Sequence, residues 1–279
     1  MRDLWPRTIL VELVGVFGVV FFSAGVVCVN QMTTQERSEV LGEGEDGRPS
    51  TRAVPPVTLH QPGLFGVALT QGVILAVMLA VTVPATGGYL NPAVTIAQWA
   101  FGRIDSQRAA ALLGAQLAGS ALAASALRLV FKLDVLQAAR FGTPHMNLGF
   151  AYPALVNQQA TVIAGSGIEL LLTFFLALAM FAPIGSAGDP ARMSLAPGMV
   201  QTAAALFALP LTGAALNPAR WFGPVLWEWA SGPAPGAPST NPWADFLVYL
   251  SGPILGALLA GLFCARMLPT PAAPTTGKK

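Results

Sequence analysis

Six long stretches of the chain contain no Asp, Glu, Lys or Arg, and this distribution of charge restricts the possible folds most strongly. A helix that crosses the hydrocarbon core of a bilayer needs about 20 largely apolar residues. The uncharged stretches are residues 13–35, 53–102, 109–127, 170–188, 193–219 and 246–265. They predict six membrane-spanning helices, at about 7–29, 64–84, 107–130, 163–182, 194–210 and 244–267.

The composition also fits a membrane protein. Only 10% of the residues are charged and 54% are hydrophobic, whereas soluble domains carry roughly 25% charged residues. A signal peptide is the alternative interpretation of the first stretch, because Arg2 and Arg7 precede it, but its length and the lack of an A-x-A-like cleavage site disfavour this. The net charge of +2, without a basic cluster, predicts no nucleic-acid partner.

Six spans place both ends of the chain on one side of the membrane, and the basic residues indicate which side. Lys and Arg are enriched in short cytoplasmic loops. If both termini are cytoplasmic, the basic residues on the inner side are Arg2, Arg7, Arg103, Arg108, Arg192, Arg266, Lys278 and Lys279. The outer side then receives Arg37, Arg48, Arg52, Lys132 and Arg140, mostly in longer loops. This bias predicts cytoplasmic termini.

Two segments outside the predicted spans look irregular. Residues 35–56 are acidic and contain several Gly and Pro, so we expect a flexible extracellular loop. Residues 268–279 are rich in Pro, Ala and Thr, which predicts a disordered cytoplasmic tail.

Two Asn-Pro-Ala triplets each begin a short helical stretch. Asn91-Pro92-Ala93 starts residues 92–102, and Asn217-Pro218-Ala219 starts residues 218–228. Asn is among the best helix N-cap residues and Pro is favoured at the first helical position. Eleven residues extend roughly 16 Å, about half of a 30 Å hydrocarbon core. The triplets therefore predict two re-entrant half-helices.

If the half-helices enter from opposite faces, Asn91 and Asn217 meet near the membrane centre. Each cap uses the side-chain oxygen, which leaves amide N–H groups as donors. The positive ends of two helix dipoles lie beside them. Such a site favours a neutral hydrogen-bond acceptor and repels cations and migrating protons.

One triplet alone is a common helix start, but here a wider repeat accompanies the pair. Val11-Glu12-Leu13 and Ile168-Glu169-Leu170 open the two halves, at about 7–130 and 163–267. Three spans per half require the second copy to be inverted. We expect an all-α membrane protein with one channel domain over residues 1–267.

The motifs resemble those of the major intrinsic protein family, the aquaporins and glycerol facilitators. They are Gly87-Gly88-Tyr89-Leu90-Asn91-Pro92-Ala93-Val94-Thr95 and Gly213-Ala214-Ala215-Leu216-Asn217-Pro218-Ala219-Arg220. The resemblance implies one pore per subunit, usually in a homotetramer. It also implies that Glu12 and Glu169 position the loops before the half-helices. A carboxylate within a span is costly, so each glutamate is a functional candidate. The alternatives to the positioning role are a proton-coupling site or a glutamate that merely lies near an interface.

The same resemblance predicts a selectivity filter. Arg220 is its arginine, and counting offsets from the triplets adds Gln71, Ala205 and Ala214. A filter aromatic and a filter His, typical of strict water channels, are absent, and Trp221 replaces the Asp typical of glycerol channels. Because both alanines are small, we expect a wide, polar filter.

The offset for Gln71 is sensitive to register, since a slip of one residue brings Thr70 or Gly72 to the pore. Small residues elsewhere predict close helix packing in lipid, at Gly252-x-x-x-Gly256 and Gly114-x-x-x-Ala118.

The sequence thus predicts a passive channel for water and small neutral solutes, such as polyols or urea-like molecules. An ion-coupled transporter is the alternative, and it needs ion-binding groups at the substrate site. A structural or adhesive role is a further alternative, whereas an enzyme lacks a recognisable catalytic set. His60 and His145 are isolated, so no metal or cofactor is expected. The composition and the lack of N-x-Ser/Thr sites favour a bacterial plasma membrane.

Overall fold

The computed structural model describes residues 5–32, 35–43, 49–57, 61–147, 158–181, 190–237 and 240–268. The tail predicted at 268–279 lies outside these residues except for Leu268. His60 lies outside them as well.

The described part of the chain contains nine α-helices, and six of them are long and apolar enough to cross a membrane. The six long helices are α1 (Trp5–Gln31), α2 (Gly63–Thr86), α4 (Ser106–Val130), α6 (Gln158–Phe181), α7 (Pro190–Thr212) and α9 (Phe246–Met267). The short ones are α3 (Pro92–Ala100), α5 (Leu133–Ala138) and α8 (Pro218–Ser231), with 3-10 turns at Arg140–Gly142 and Pro242–Asp245. The predicted six-span helical architecture is confirmed.

The segment between α1 and α2 forms a two-stranded antiparallel hairpin. Strand β1 (Gln35–Glu43) pairs with β2 (Pro49–Val57), with Glu39 opposite Arg52. The sequence predicts a flexible loop over 35–56, and the two paired strands occupy most of that segment. Gly, Pro and acidic residues are depleted in strands, so composition concealed the pairing. A two-stranded ribbon has only edge strands, and edge strands tolerate Pro.

The helices form two repeats, α1–α4 and α6–α9, which contact each other in a reciprocal way. The half-helix α3 packs on α9, the last span of the other repeat, and α8 packs on α4. Helices α2 and α7, the equivalent second spans, pack directly against each other. This pattern is that of an inverted repeat.

Consecutive spans reverse direction, so the molecule has two distinct ends. We call the end with the start of α1 and the finish of α9 the terminal face, and the end with β1 and β2 the hairpin face. Helix α3 has 9 residues and α8 has 14, or about 14 Å and 21 Å at 1.5 Å per residue. Neither is long enough to cross, so α3 ends toward the terminal face and α8 toward the hairpin face.

The contact between α8 and α4 depends on a glycine and a serine. The hydroxyl of Ser120 donates to the carbonyl of Ala219 and accepts from the backbone N–H of Gly223, at 2.9 Å for the latter. A Cβ on Gly223 would overlap Ser120. The half-helix is therefore fixed to the opposite repeat by close backbone approach.

Close approach also joins α6 and α9, where the sequence predicted small-residue packing. A Cβ on Gly256 would overlap the backbone of Leu170 and Phe174. At Gly114, by contrast, no described atom lies within 4 Å of the Cβ position. The two small-residue motifs therefore differ, and only the one on α9 brings two helix backbones together within the described chain.

This difference predicts opposite effects of the same substitution. Gly114→Ala should leave the melting temperature in detergent unchanged or raise it, because Ala is favoured over Gly in helices by about 1 kcal/mol. Gly256→Ala should lower the melting temperature, because the added methyl group forces α6 and α9 apart. Equal shifts in the two variants would contradict the packing described above.

Candidate functional site

The two half-helices begin where the sequence predicts, because each triplet caps its own helix. The Asn91 side-chain oxygen accepts a hydrogen bond from the backbone N–H of Ala93 at 2.9 Å. Asn217 and Ala219 repeat this contact at 2.9 Å. Both asparagines have extended backbone, as N-cap residues do.

The same two side chains join the repeats across the middle of the molecule. Asn91 Nδ2 donates to the carbonyl of Leu216, and Asn217 Nδ2 donates to the carbonyl of Leu90, both at 2.9 Å. An amide nitrogen carries two hydrogens. One hydrogen of each asparagine is therefore engaged in the protein, and one remains for the central cavity that both side chains line.

The loops before the half-helices pass through left-handed backbone at matching positions. Leu90 and Leu216 have φ of 49° and 52°, which non-glycine residues rarely adopt. Ala214 has φ of 46° where the first repeat has Gly88 at 66°. Such strain costs on the order of 1–3 kcal/mol per residue, so other contacts must hold these loops.

Glu12 of α1 supplies those contacts for the first loop. Its side chain is fully buried, and its two carboxylate oxygens accept four hydrogen bonds. The donors are Thr86 Oγ1 at 2.7 Å, Tyr89 N at 3.1 Å, Leu90 N at 2.9 Å and Gln116 Nε2 at 3.0 Å. The carboxylate therefore occupies the centre of the turn that leads to Asn91.

Glu169 of α6 makes the equivalent contacts in the second repeat and is also fully buried. Its carboxylate accepts three hydrogen bonds, from the last residue of α7 and from the second loop. The donors are Thr212 Oγ1 at 2.6 Å, Ala215 N at 3.1 Å and Leu216 N at 2.8 Å. Neither carboxylate is on the wall of the central cavity, and the hydrogen bonds of both are made around the loops.

Two of the four predicted filter residues line this cavity. Gln71 and Arg220 lie on its wall, and both are almost completely buried. Arg220 Nη2 donates to the carbonyl of Ser23 at 3.3 Å, while Arg220 Nη1 and Gln71 Nε2 have no partner in the described chain. These two unpaired donors are available to an oxygen atom in the cavity.

Thr70 and Gly72, which a slip of one residue would bring to the pore in place of Gln71, lie elsewhere. Thr70 Oγ1 donates to the carbonyl of Gly66 and lies in an apolar groove with Phe21 and Phe22. Gly72 packs against Gly198 of α7. Neither residue lines the cavity.

Ala205 and Ala214, the other two predicted filter residues, lie in the surrounding apolar core. Their neighbours Gln201 and Ala215 line the cavity instead. Gln201 is one helical turn before Ala205 and therefore on the same face of α7. Gln201 has the longer side chain and reaches the cavity wall, whereas Ala205 packs in the core.

The remainder of the cavity wall is mostly apolar. It is formed by Val19, Leu75, Leu176 and Met180, with Tyr89 at one end. The cavity has a volume of about 20 Å³, enough for about one water molecule. Polar groups thus lie at separate points along an otherwise apolar passage.

A second polar cluster lies on the hairpin face. His145 Nε2 is 2.7 Å from Glu228 Oε2, and His145 Nδ1 is 3.3 Å from Asp245 Oδ2. Arg140 Nε donates to Glu228 Oε1 at 2.7 Å. The cluster connects residues 140–147, the end of α8 and the start of α9, beside the second loop.

The charges in this cluster shift two pKa values in opposite directions. Burial by itself lowers the pKa of His145, but hydrogen bonds to Asp245 and Glu228 outweigh it and raise the pKa above 6.5 despite Arg140. Burial alone would raise the pKa of Glu228, but His145 and Arg140 outweigh it and lower the pKa below 4.5. Both shifts favour the ionised pair.

Comparisons with known proteins agree with this architecture. The sequence matches the profile of the family described as Major intrinsic protein over residues 3–264. Aquaporin TIP4-4 of Zea mays is 38% identical over 205 residues, 72% of this chain and 70% of the relative. Aquaporin NIP1-3 of Oryza sativa subsp. japonica is 31% identical over 268 residues, 95% of this chain and 74% of the relative.

Among solved structures, the aquaglyceroporin from Plasmodium falciparum has a similar fold. The TM-score is 0.72 at 17% sequence identity, over 94% of this chain and 96% of that chain.

Six spans, two half-helices that meet through their caps, and a narrow cavity beside those caps define a multi-pass membrane channel. The chain belongs to the major intrinsic protein family, as the sequence motifs predict. The members of this family are passive channels, and this protein is accordingly not an enzyme.

Several residues of the site were missed by sequence reasoning. Thr86 and Thr212 each stand five residues before a triplet asparagine, a repeat that could have revealed them. Gln116 and Gln201 have no counterpart at an equal offset and become visible only through their contacts. His145 was interpreted as isolated, although Glu228 and Asp245 contact it.

The contribution of the Glu169 hydrogen bonds can be tested by a substitution that removes the charge and one acceptor oxygen. Glu169→Gln places an amide N–H against donors, and each buried donor left without an acceptor costs about 1–3 kcal/mol. We expect a lower melting temperature in detergent and reduced water permeability in proteoliposomes. Asp134→Asn, which changes an exposed carboxylate on α5, is the matched control and should change neither. Unaltered melting in Glu169→Gln would contradict its contacts.

The cluster on the hairpin face predicts a pH dependence of stability. Because the pKa of folded His145 is raised, its stabilisation is complete below pH 6.5 and is lost as pH rises through the folded value. The contribution of Glu228 is present above pH 4.5 and is lost as pH falls through its lowered pKa. The melting-temperature difference between wild type and His145→Gln should therefore be largest near about pH 6 and shrink toward about pH 9. A constant difference across this range would contradict the assignment.

Proposed function

We propose that this protein is a passive channel that conducts water and small neutral molecules and excludes ions and protons. The single observation that carries this proposal is the pair of Asn caps that meet in the central cavity, each with one amide hydrogen left for a solute. A neutral oxygen acceptor satisfies both donors as it passes. No titratable group is required for such a passage.

Exclusion of cations follows from the charges around the same point. The N-termini of α3 and α8 carry partial positive charge of roughly half an elementary charge each. Arg220 adds a full positive charge on the side of the hairpin face, and it is 4% exposed. A cation or a migrating proton therefore meets repulsion at both points, whereas a neutral molecule does not.

We propose that Glu12 and Glu169 serve as positioning residues for the two loops rather than as proton carriers. Their hydrogen bonds come from backbone N–H groups of the loops, from the hydroxyls of Thr86 and Thr212 beside the loops, and from Gln116. The hypothesis of an ion-coupled transporter needs a titratable group on the cavity wall. Among the described residues that line it, Arg220 and Tyr89 are the ionisable ones, and neither is a carboxylate.

We further propose that the protein is a homotetramer with one pore in each subunit, and that the terminal face is cytoplasmic in a bacterial plasma membrane. The family resemblance supports the assembly. The larger number of Lys and Arg residues near the terminal face supports the orientation.

A charge placed at the central cap tests the mechanism of exclusion. In proteoliposomes, wild type should raise water permeability far above that of empty vesicles, without proton conduction. Asn217→Asp places a negative charge beside the two helix N-termini and weakens the repulsion. We expect a measurable proton leak, followed with a pH-sensitive dye inside the vesicles.

Asn241→Asp is the matched control for this experiment. Asn241 also precedes Pro and caps a 3-10 turn, with its side chain accepting from Trp243 N, but it is exposed on the hairpin face. This variant should conduct water like wild type and exclude protons. Water permeability of wild type equal to that of empty vesicles would overturn the proposed function.

A further inference from the structure

Two glutamines from different repeats meet in the cavity. Gln201 Nε2 of α7 lies 3.4 Å from Gln71 Oε1 of α2, and both side chains line the wall. Gln71 is 2% exposed and Gln201 is 8% exposed. The bond is long for a hydrogen bond and therefore weak, but it places two amides across the passage.

The distance between the two amides is set by the backbones of α2 and α7. Gly72 and Gly198 face each other so closely that a Cβ on either would overlap the other's carbonyl oxygen. Gln71 adjoins Gly72 in sequence, and Gln201 follows Gly198 by less than one helical turn. Glycine packing of the two helices thus brings the amides within reach of each other.

The polar atoms around this pair are incompletely satisfied. Gln71 Nε2 and Arg220 Nη1 are buried without partners in the described chain. A buried donor without an acceptor costs about 1–3 kcal/mol. A solute oxygen within reach of these donors would supply the missing acceptor.

The cavity size indicates which solutes fit. A volume of about 20 Å³ holds roughly one water molecule. The small alanines at 205 and 214 predict a wide filter, whereas the cavity wall carries the longer side chains of Gln71 and Gln201.

We propose that Gln201 is a specificity-determining residue, which together with Gln71 forms an amide constriction that passes water and excludes solutes of glycerol size. This inference rests on the proposed channel function and adds the size limit to it. Shortening Gln201 opens the width that the alanines provide, while a side chain of equal length keeps the passage closed to larger molecules.

The test compares water and glycerol permeability by stopped-flow light scattering of proteoliposomes, per reconstituted protein. Wild type should pass water and leave glycerol permeability near that of empty vesicles. Gln201→Ala removes four heavy atoms and should raise the glycerol-to-water permeability ratio by about tenfold or more, because even one methylene group in a tight site changes discrimination by about tenfold. Gln201→Leu, similar in size, should keep glycerol excluded but lower water permeability because the amide is lost.

Met199→Ala is the matched control, because Met199 lies on the same helix with 72% exposure and away from the cavity. It should leave the permeability ratio unchanged. If Gln201→Ala does not elute as a folded protein, Gln71→Ala removes the other half of the pair and should raise the ratio likewise.

A wild type that conducts glycerol freely, or a shortened variant with an unchanged ratio, would overturn the amide constriction while leaving the channel function intact. A wild type without water permeability would instead overturn the channel function itself.

Discussion

The proposed pore depends on two buried carboxylates that accept the hydrogen bonds of strained loops. Glu12 and Glu169 accept backbone and hydroxyl donors from turns whose leucines have left-handed backbone. A carboxylate in a membrane interior is costly, but several hydrogen bonds to the charged form offset this cost. These turns lead directly into Asn91 and Asn217, so the carboxylates contribute to the position of both half-helix N-termini at the cavity.

The centre of the pore is also an interface between the two repeats. Each triplet asparagine donates to a leucine carbonyl of the other repeat, and each half-helix packs on the other repeat's last span. Neither repeat can form the site alone. The reciprocal contacts also make the centre nearly symmetric.

The residues proposed to give selectivity lie at positions where the two repeats have different residue types. Arg220 follows its triplet directly, and the equivalent position in the first repeat is Val94. Gln71 lies 20 residues before its triplet and Gln201 lies 16 residues before the other, so the two glutamines are not equivalent either. Polar groups on one side of the centre therefore have apolar counterparts on the other, which places the proposed filter on the side of the hairpin face.

The sequence by itself determined the class of fold, because uncharged stretches, caps and a repeated motif are local properties of the chain. Asn is a favoured N-cap and Pro a favoured first helical residue, so both half-helices were predictable. The family resemblance led to Gln71 and Arg220, and both line the cavity. Tertiary structure decided the rest of the wall, where Gln201 is present and Ala205 is not. His145 belongs to an ion-pair cluster because segments distant in sequence converge. The hairpin at 35–57 likewise depends on pairing between segments that composition does not reveal. Such contacts join residues that are far apart in the chain, so no local sequence pattern can predict them.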